Sequence, residues 1–165
     1  MKQFGTFALC GLICIALGCQ STTPIDMEAE KESVHLFIKD FWQAFETKDI
    51  DAFSEMVAHE PDMVFFGTDE NEYWAGWNAI KDAVERQFKA FYNIDVKYAA
   101  EVIHVSEAGK TAWFSLIRTI QVTNQKGEKQ EMKNRVTGVL IKKHRAWKLV
   151  QYHSSAALNW DLFKY

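Results

Sequence analysis

Cysteine is scarce, and it sits where it cannot build a disulfide framework. Cys10, Cys14 and Cys19 are the three in the chain, all within the first nineteen positions. The rest of the chain has no pair of thiols to bridge, even in an oxidising compartment. Basic residues are not in excess, with 19 Lys and Arg against 22 Asp and Glu, so there is no electrostatic footprint for nucleic acid. No glycine-rich loop is present to cradle phosphate, and nucleophilic catalysis has no thiol beyond Cys19. Proline appears only as Pro24, in a polar stretch, and as Pro61 in "HEPD". That stretch offers His59, Glu60 and Asp62, but without a second nearby histidine it is a helix stop and not a metal site. No metal and no cofactor are expected.

What the chain does have begins with its N-terminus. "MKQFGTFALCGLICIALGC" carries one early cation, Lys2, then an apolar run from Phe4 to Leu17 without an acidic residue. The run is too short and too interrupted by glycine for a membrane span and has the form of a secretory signal. Ala16-Leu17-Gly18-Cys19 resembles a bacterial lipobox, with Ala16 where leucine is usual. The expectation is a signal peptide over 1–18 and lipidation of Cys19. A tether then covers 19–29, one domain covers 30–156, and a tail covers 157–165. Acyl chains on Cys19 would hold the protein to a membrane through lipid alone, each buried methylene contributing about 0.8 kcal/mol. Gln20 after the cysteine favours the periplasmic side of the bacterial outer membrane. Removing the first 18 residues leaves 147, a length that suits one core.

Aromatic residues are abundant, at 14% with six tryptophans, enough to build a thick core or to line a pocket. Val34, Phe37, Ile38, Phe41, Trp42 and Phe45 recur at steps of three and four, which predicts an amphipathic helix. "KDIDAFSEMVA" restarts as a short helix capped by Asp49 or Asp51. "MVFFG" is a short strand, "TDENEYWAG" a polar loop, and roughly Asn78 to Tyr92 a third helix. The period then changes to two. Strands are expected near Ile94–Ser106, Thr111–Thr123, Glu128–Lys142 and Ala146–Ser155, joined by the turns "EAGK", "NQKG" and "KHR". Helices followed by successive antiparallel strands make an α+β fold, a curved sheet wrapped around helices to form a cone.

This order of elements, with "GTDENEYWAGWNAI" leading into the third helix and "RVTGVL…W…YHSS" at the end, resembles the SnoaL-like branch of the nuclear-transport-factor-2-like superfamily. The resemblance covers about Glu32 to Ala156. It implies a cone with a cavity, and a homodimer formed through the outer sheet face. It does not fix an activity, because these cones host ketosteroid isomerase, scytalone dehydratase, polyketide cyclases and non-catalytic binding domains. Where the family carries Asp-Gly before the tryptophan, this chain has His144-Arg145.

The strongest functional lead is "RVTGVLIKKHRAWKLVQYHSS", which opens on Arg135 and closes near His153. A three-residue loop, Lys143-His144-Arg145, pairs Ile141 with Trp147, Val139 with Leu149, Thr137 with Gln151 and Arg135 with His153. A two-residue loop, His144-Arg145, pairs Trp147 with Lys142 and Leu149 with Leu140. The first register makes one face apolar at the turn and polar at the far end, and is the one expected here. It makes Arg135, His153, Gln151 and Thr137 the expected ligand-binding residues, joined by Trp77 from the entry to the third helix, for a small amphipathic or anionic molecule. Trp74 and Trp77 are either packing residues or an aromatic wall at the pocket mouth. The "NQKG" turn leaves open which face Arg118 takes.

Acid–base chemistry requires a titratable group within reach of a substrate proton. His153, Asp69, Tyr98 and Tyr73 are the candidates, His153 first, and no complete catalytic set can be assigned among them. The alternatives are therefore a lipid-anchored ligand-binding cone, a small-molecule isomerase, dehydratase or cyclase using His153, and a dimerisation or docking module.

Overall fold

A computed structural model describes residues 24–157. The signal-peptide and Cys19 readings, the first part of the tether (19–23) and the C-terminal tail from 158 on fall outside the described residues. The element order is α1 (Met27–Glu46), α2 (Ile50–Met56), β1 (Val64–Phe66), β2 (Tyr73–Ala75), α3 (Trp77–Ala90), β3 (Phe91–Val105), β4 (Thr111–Asn124), β5 (Lys129–Lys143) and β6 (Ala146–Ala156). Among the described residues no helix is long and apolar enough to cross a membrane.

Both leading helices start where a side chain satisfies an orphan amide. Asp26 accepts from Ala29 N at 3.1 Å to open α1, and Asp49 from Ala52 N at 2.9 Å to open α2. The apolar stripe of α1 is buried from Val34 through Phe45, as its spacing predicts. Its last turn is tied to the sheet, because the Glu46 carboxylate accepts the β3 amide of Val96 at 2.6 Å. α2 ends ahead of "HEPD", at Met56, where Val57 turns extended and bridges Leu149 of the sheet; His59 follows in the left-handed region at φ 59°. Among the described residues no metal-holding cluster occurs.

One six-stranded sheet, in the order β2-β1-β6-β5-β4-β3, carries the fold. The four long strands pair antiparallel in sequence order, as expected. The sheet is nevertheless mixed, since β1 lies parallel to β6. "TDENEYWAG" is not wholly loop: Tyr73–Ala75 pairs back on β1 as a short edge strand. Helices and sheet enclose one core, whose largest fully buried members include Phe53, Ile38, Met63, Ile80, Leu140 and Leu149.

Two bulges set which face each side chain takes. In β3, Ala99 pairs with Ile117 and Val102 with Ser115, so β3 carries one residue more than its partner there. Ala100 is left-handed at φ 53°, and Glu101 meets His35 of α1, Nδ1 to Oε1 at 2.6 Å. That hydrogen bond, opposed by partial burial, raises the His35 pKa above its usual value.

The second bulge corrects the expected hairpin register. The turn is the two-residue His144-Arg145, both left-handed at φ 48° and 71°, and Lys142 pairs with Trp147. These are the backbone signs of a type I′ turn, whose twist matches that of the strands it joins. Leu140 then faces Leu149, but Val139 faces Gln151, so Val150 is an extra residue. Beyond it Thr137 faces His153 and Arg135 faces Ser155, so the expected Arg135–His153 pair does not form.

Candidate functional site

The inner sheet face and the helices line a half-open cavity of about 240 Å³. Phe41, Trp42 and Phe45 from α1, Phe53 from α2, Phe65 from β1 and Tyr152 from β6 form an aromatic sleeve around it. The rings touch one another: Phe41 meets Trp42 edge-on at 5.0 Å and Phe53 at 5.1 Å, and Phe65 lies 5.3 Å from Tyr152.

Arg118 of β4 supplies the cavity's cation. Its residue is only 8% exposed, and its guanidinium lies 4.9 Å from the Trp42 ring centroid. Nε donates to Asn134 Oδ1 at 3.0 Å, Nη1 to the Tyr152 hydroxyl at 3.2 Å and Nη2 to Ser154 Oγ at 3.5 Å. Asn134 Nδ2 in turn donates to Ser154 Oγ at 2.8 Å. Every acceptor in this set is neutral, and among the described residues no carboxylate lies within ion-pair distance of Arg118. The indole N–H of Trp42 is also buried without an acceptor among those residues.

A buried charge normally has a counter-charge, because leaving water costs several kcal/mol per ion. Here, among the described residues, the Arg118 guanidinium is hydrogen-bonded only to neutral groups. Glu72 is the carboxylate lining the same cavity, but its Oε2 accepts from the amides of Thr68 and Asp69 at 2.6 and 3.1 Å, closing the loop between β1 and β2. Burial raises the Tyr152 pKa, against the lowering influence of the Arg118 charge. The phenol therefore remains a neutral hydroxyl at physiological pH.

The residues expected to bind ligand lie elsewhere. Arg135, Thr137 and His153 are exposed on the convex outer face with Gln151, and none of them lines the cavity. For Arg135 and Thr137 the reason is the two-residue turn, which sets Leu140 and not Val139 opposite Leu149; for Gln151 and His153 it is the bulge at Val150. Trp147 and Leu149 point inward before it, and Tyr152 and Ser154 point inward after it, so Gln151 and His153 face out. His153 lies edge-on to the exposed Phe66 at 5.9 Å, and Phe66 lies 5.3 Å from Tyr73. Trp77 stacks on His59 at 4.3 Å and packs beside the core, while Trp74 reaches the cavity. Asp69 sits in the Glu72-closed loop, Tyr73 is exposed, and Tyr98 packs against the core with its pKa raised by burial and by Glu101.

The phase of β4 was the available signal for Arg118. Ala112, Phe114 and Leu116 are buried at alternate positions, and Arg118 is the next in that series.

The profile of the SnoaL-like domain matches residues 34–159. The chain belongs to this family. No curated protein matches the sequence. Solved structures similar to this SnoaL-like domain include a nuclear-transport-factor-2-like superfamily protein from Salmonella enterica serovar Typhimurium. It is 19% identical with a TM-score of 0.73, and the match covers 84% of this chain and 99% of that one. A proposed dehydratase of the same superfamily from Streptomyces avermitilis is 18% identical, with TM-score 0.73 and coverage of 82% and 99%. A proposed scytalone dehydratase from Novosphingobium aromaticivorans is 14% identical, with TM-score 0.71 and coverage of 79% and 86%. At such identities the likeness establishes the cone fold of the SnoaL-like domain and no activity.

Proposed function

We propose that this SnoaL-like domain is a binding domain for a small molecule with an apolar body and an anionic head, held on the bacterial envelope by a lipid on Cys19. The observation that carries the reading is Arg118, 8% exposed and ringed by neutral acceptors inside an aromatic cavity. An anionic ligand supplies the counter-charge that the fold withholds, and a charge-assisted pair in a low-dielectric cavity is strong and selective. The outer-face residues Arg135 and His153 have no part in this site. Calorimetric titration of the mature chain with small monocarboxylates tests it. Binding should be lost in Arg118→Met and retained in Arg135→Met; the opposite pattern sinks the reading. Membrane fractionation tests the anchor, since Cys19→Ser should move the protein to the soluble fraction.

A second reading is favoured by one observation, that a carboxylate (Glu72) and a neutral phenol (Tyr152) line the same cavity as Arg118. That set is competent for proton transfer next to a developing oxyanion, as in an isomerase or a hydro-lyase. Turnover that vanishes in Glu72→Gln while binding persists would establish it. Turnover dependent on His153 would contradict it.

A further inference from the structure

We infer that the cavity is shaped for a monoanionic carboxylic acid with a single aromatic ring, its carboxylate at Arg118 and its ring in the sleeve. This deepens the binding reading above and rests on it. Three observations carry it: the donors, the walls and the second charge.

The donors match one carboxylate. A guanidinium has five N–H groups, and three of the Arg118 donors are engaged by Asn134, Tyr152 and Ser154. Two remain without a protein acceptor among the described residues, as does the Trp42 indole N–H. Three unfilled donors near one apolar cavity suit the two oxygens of a carboxylate. A neutral alcohol or ketone would leave the guanidinium charge unanswered.

The walls match one ring. An apolar cavity of roughly 150 Å³ accommodates one benzene, and this one measures about 240 Å³. The excess suits a carboxylate and a short linker. The lining rings already meet edge-on and tilted, Phe41 with Trp42 at 77° and Phe41 with Phe53 at 40°. A flat ring in the ligand extends that pattern, gaining several-fold in affinity over a saturated ring of the same size.

The second charge limits the ligand to one anion. Glu72 lines the same small cavity, so a second carboxylate or a phosphate dianion would sit in one low-dielectric space with a like charge. The positive end is thus matched to one negative charge only.

Calorimetry on the mature protein with four probes tests this: phenylacetate, cyclohexylacetate, phenylmalonate and benzyl alcohol. Phenylacetate should bind at least fivefold more tightly than cyclohexylacetate and lose more than tenfold in Arg118→Met. Phenylmalonate should bind at least tenfold more weakly than phenylacetate and regain affinity in Glu72→Gln, and benzyl alcohol should be the weakest and indifferent to Arg118→Met. Cyclohexylacetate binding as tightly as phenylacetate overturns the ring assignment and leaves the Arg118 reading standing. Phenylmalonate binding as tightly as phenylacetate overturns the charge assignment. If neither monoacid binds, or Arg118→Met binds both as well as the wild type, both readings fall together.

Discussion

Arg118→Met separates a binding residue from a structural one, because the two roles predict different stabilities without ligand. Removing one partner of a buried ion pair costs about 3–5 kcal/mol, chiefly because a bare charge is left behind. Here none is left, since the Arg118 partners are Asn134, Tyr152 and Ser154. Ser154 Oγ keeps its bond from Asn134 Nδ2 at 2.8 Å, and the Tyr152 hydroxyl at the cavity can turn to water. The Asn134 Oδ1 acceptor is orphaned, which costs about 1–3 kcal/mol. Against that, the variant no longer strips a guanidinium of its hydration, a gain of similar or larger size, and methionine fills much of the vacated volume. The expected net change is within about 1.5 kcal/mol of zero by these terms. Urea unfolding followed by circular dichroism reads it as a midpoint shift at constant slope. With a bound ligand at one hundred times its Kd, wild type should gain about 2.7 kcal/mol and the variant nothing, a difference of roughly 5–10 °C in melting temperature. A loss above about 3 kcal/mol without ligand would refute the reasoning and make Arg118 a structural residue.

Other parts of the fold yield further expectations. Replacing His144-Arg145 by Asn-Gly should stabilise the domain by about 1 kcal/mol, because both positions are left-handed; no rise in melting temperature would contradict the two-residue turn. Gly138→Ala should destabilise by about 1–3 kcal/mol: the added Cβ would lie 2.5 Å from the Phe114 ring and 3.2 Å from Leu149. Unchanged unfolding would show that Phe114 yields. His35, whose pKa is raised chiefly by its hydrogen bond to Glu101, contributes stability that is fully present below the ordinary histidine value of about 6.5. That contribution is lost as the pH rises through the raised value, so the deficit of His35→Gln should shrink over that rise. A deficit independent of pH would remove the ion pair from the account.

Much of the architecture was legible because it depends on period. The α1 stripe from Val34 to Phe45 followed from spacing, and capping chemistry narrowed the start of α2 to Asp49 or Asp51, of which Asp49 is the cap. The four long strands followed in the same way, but the last turn did not: it is His144-Arg145 and not the expected Lys143-His144-Arg145. Tyr73–Ala75 did not, because a three-residue edge strand has too few positions to show alternation and exists only by pairing with β1. Arg118 was half legible: its phase with Phe114 and Leu116 points inward, but a single cation in an apolar series also reads as a surface residue.

By itself the sequence determined the elements and the aromatic wealth of the core. It also determined that Arg135, Thr137 and Val139 share one face of β5, and Gln151 and His153 one face of β6. Tertiary structure decided which of those faces is the inside. One extra residue, Val150, lets Trp147 and Leu149 face the core while Gln151 and His153 face away. It places Tyr152 and Ser154 beside Arg118 instead. A strand's side chains alternate strictly, so a single bulge inverts every assignment beyond it. Whether a bulge forms depends on the pairing of both strands and the packing of the whole face, which no window of residues contains.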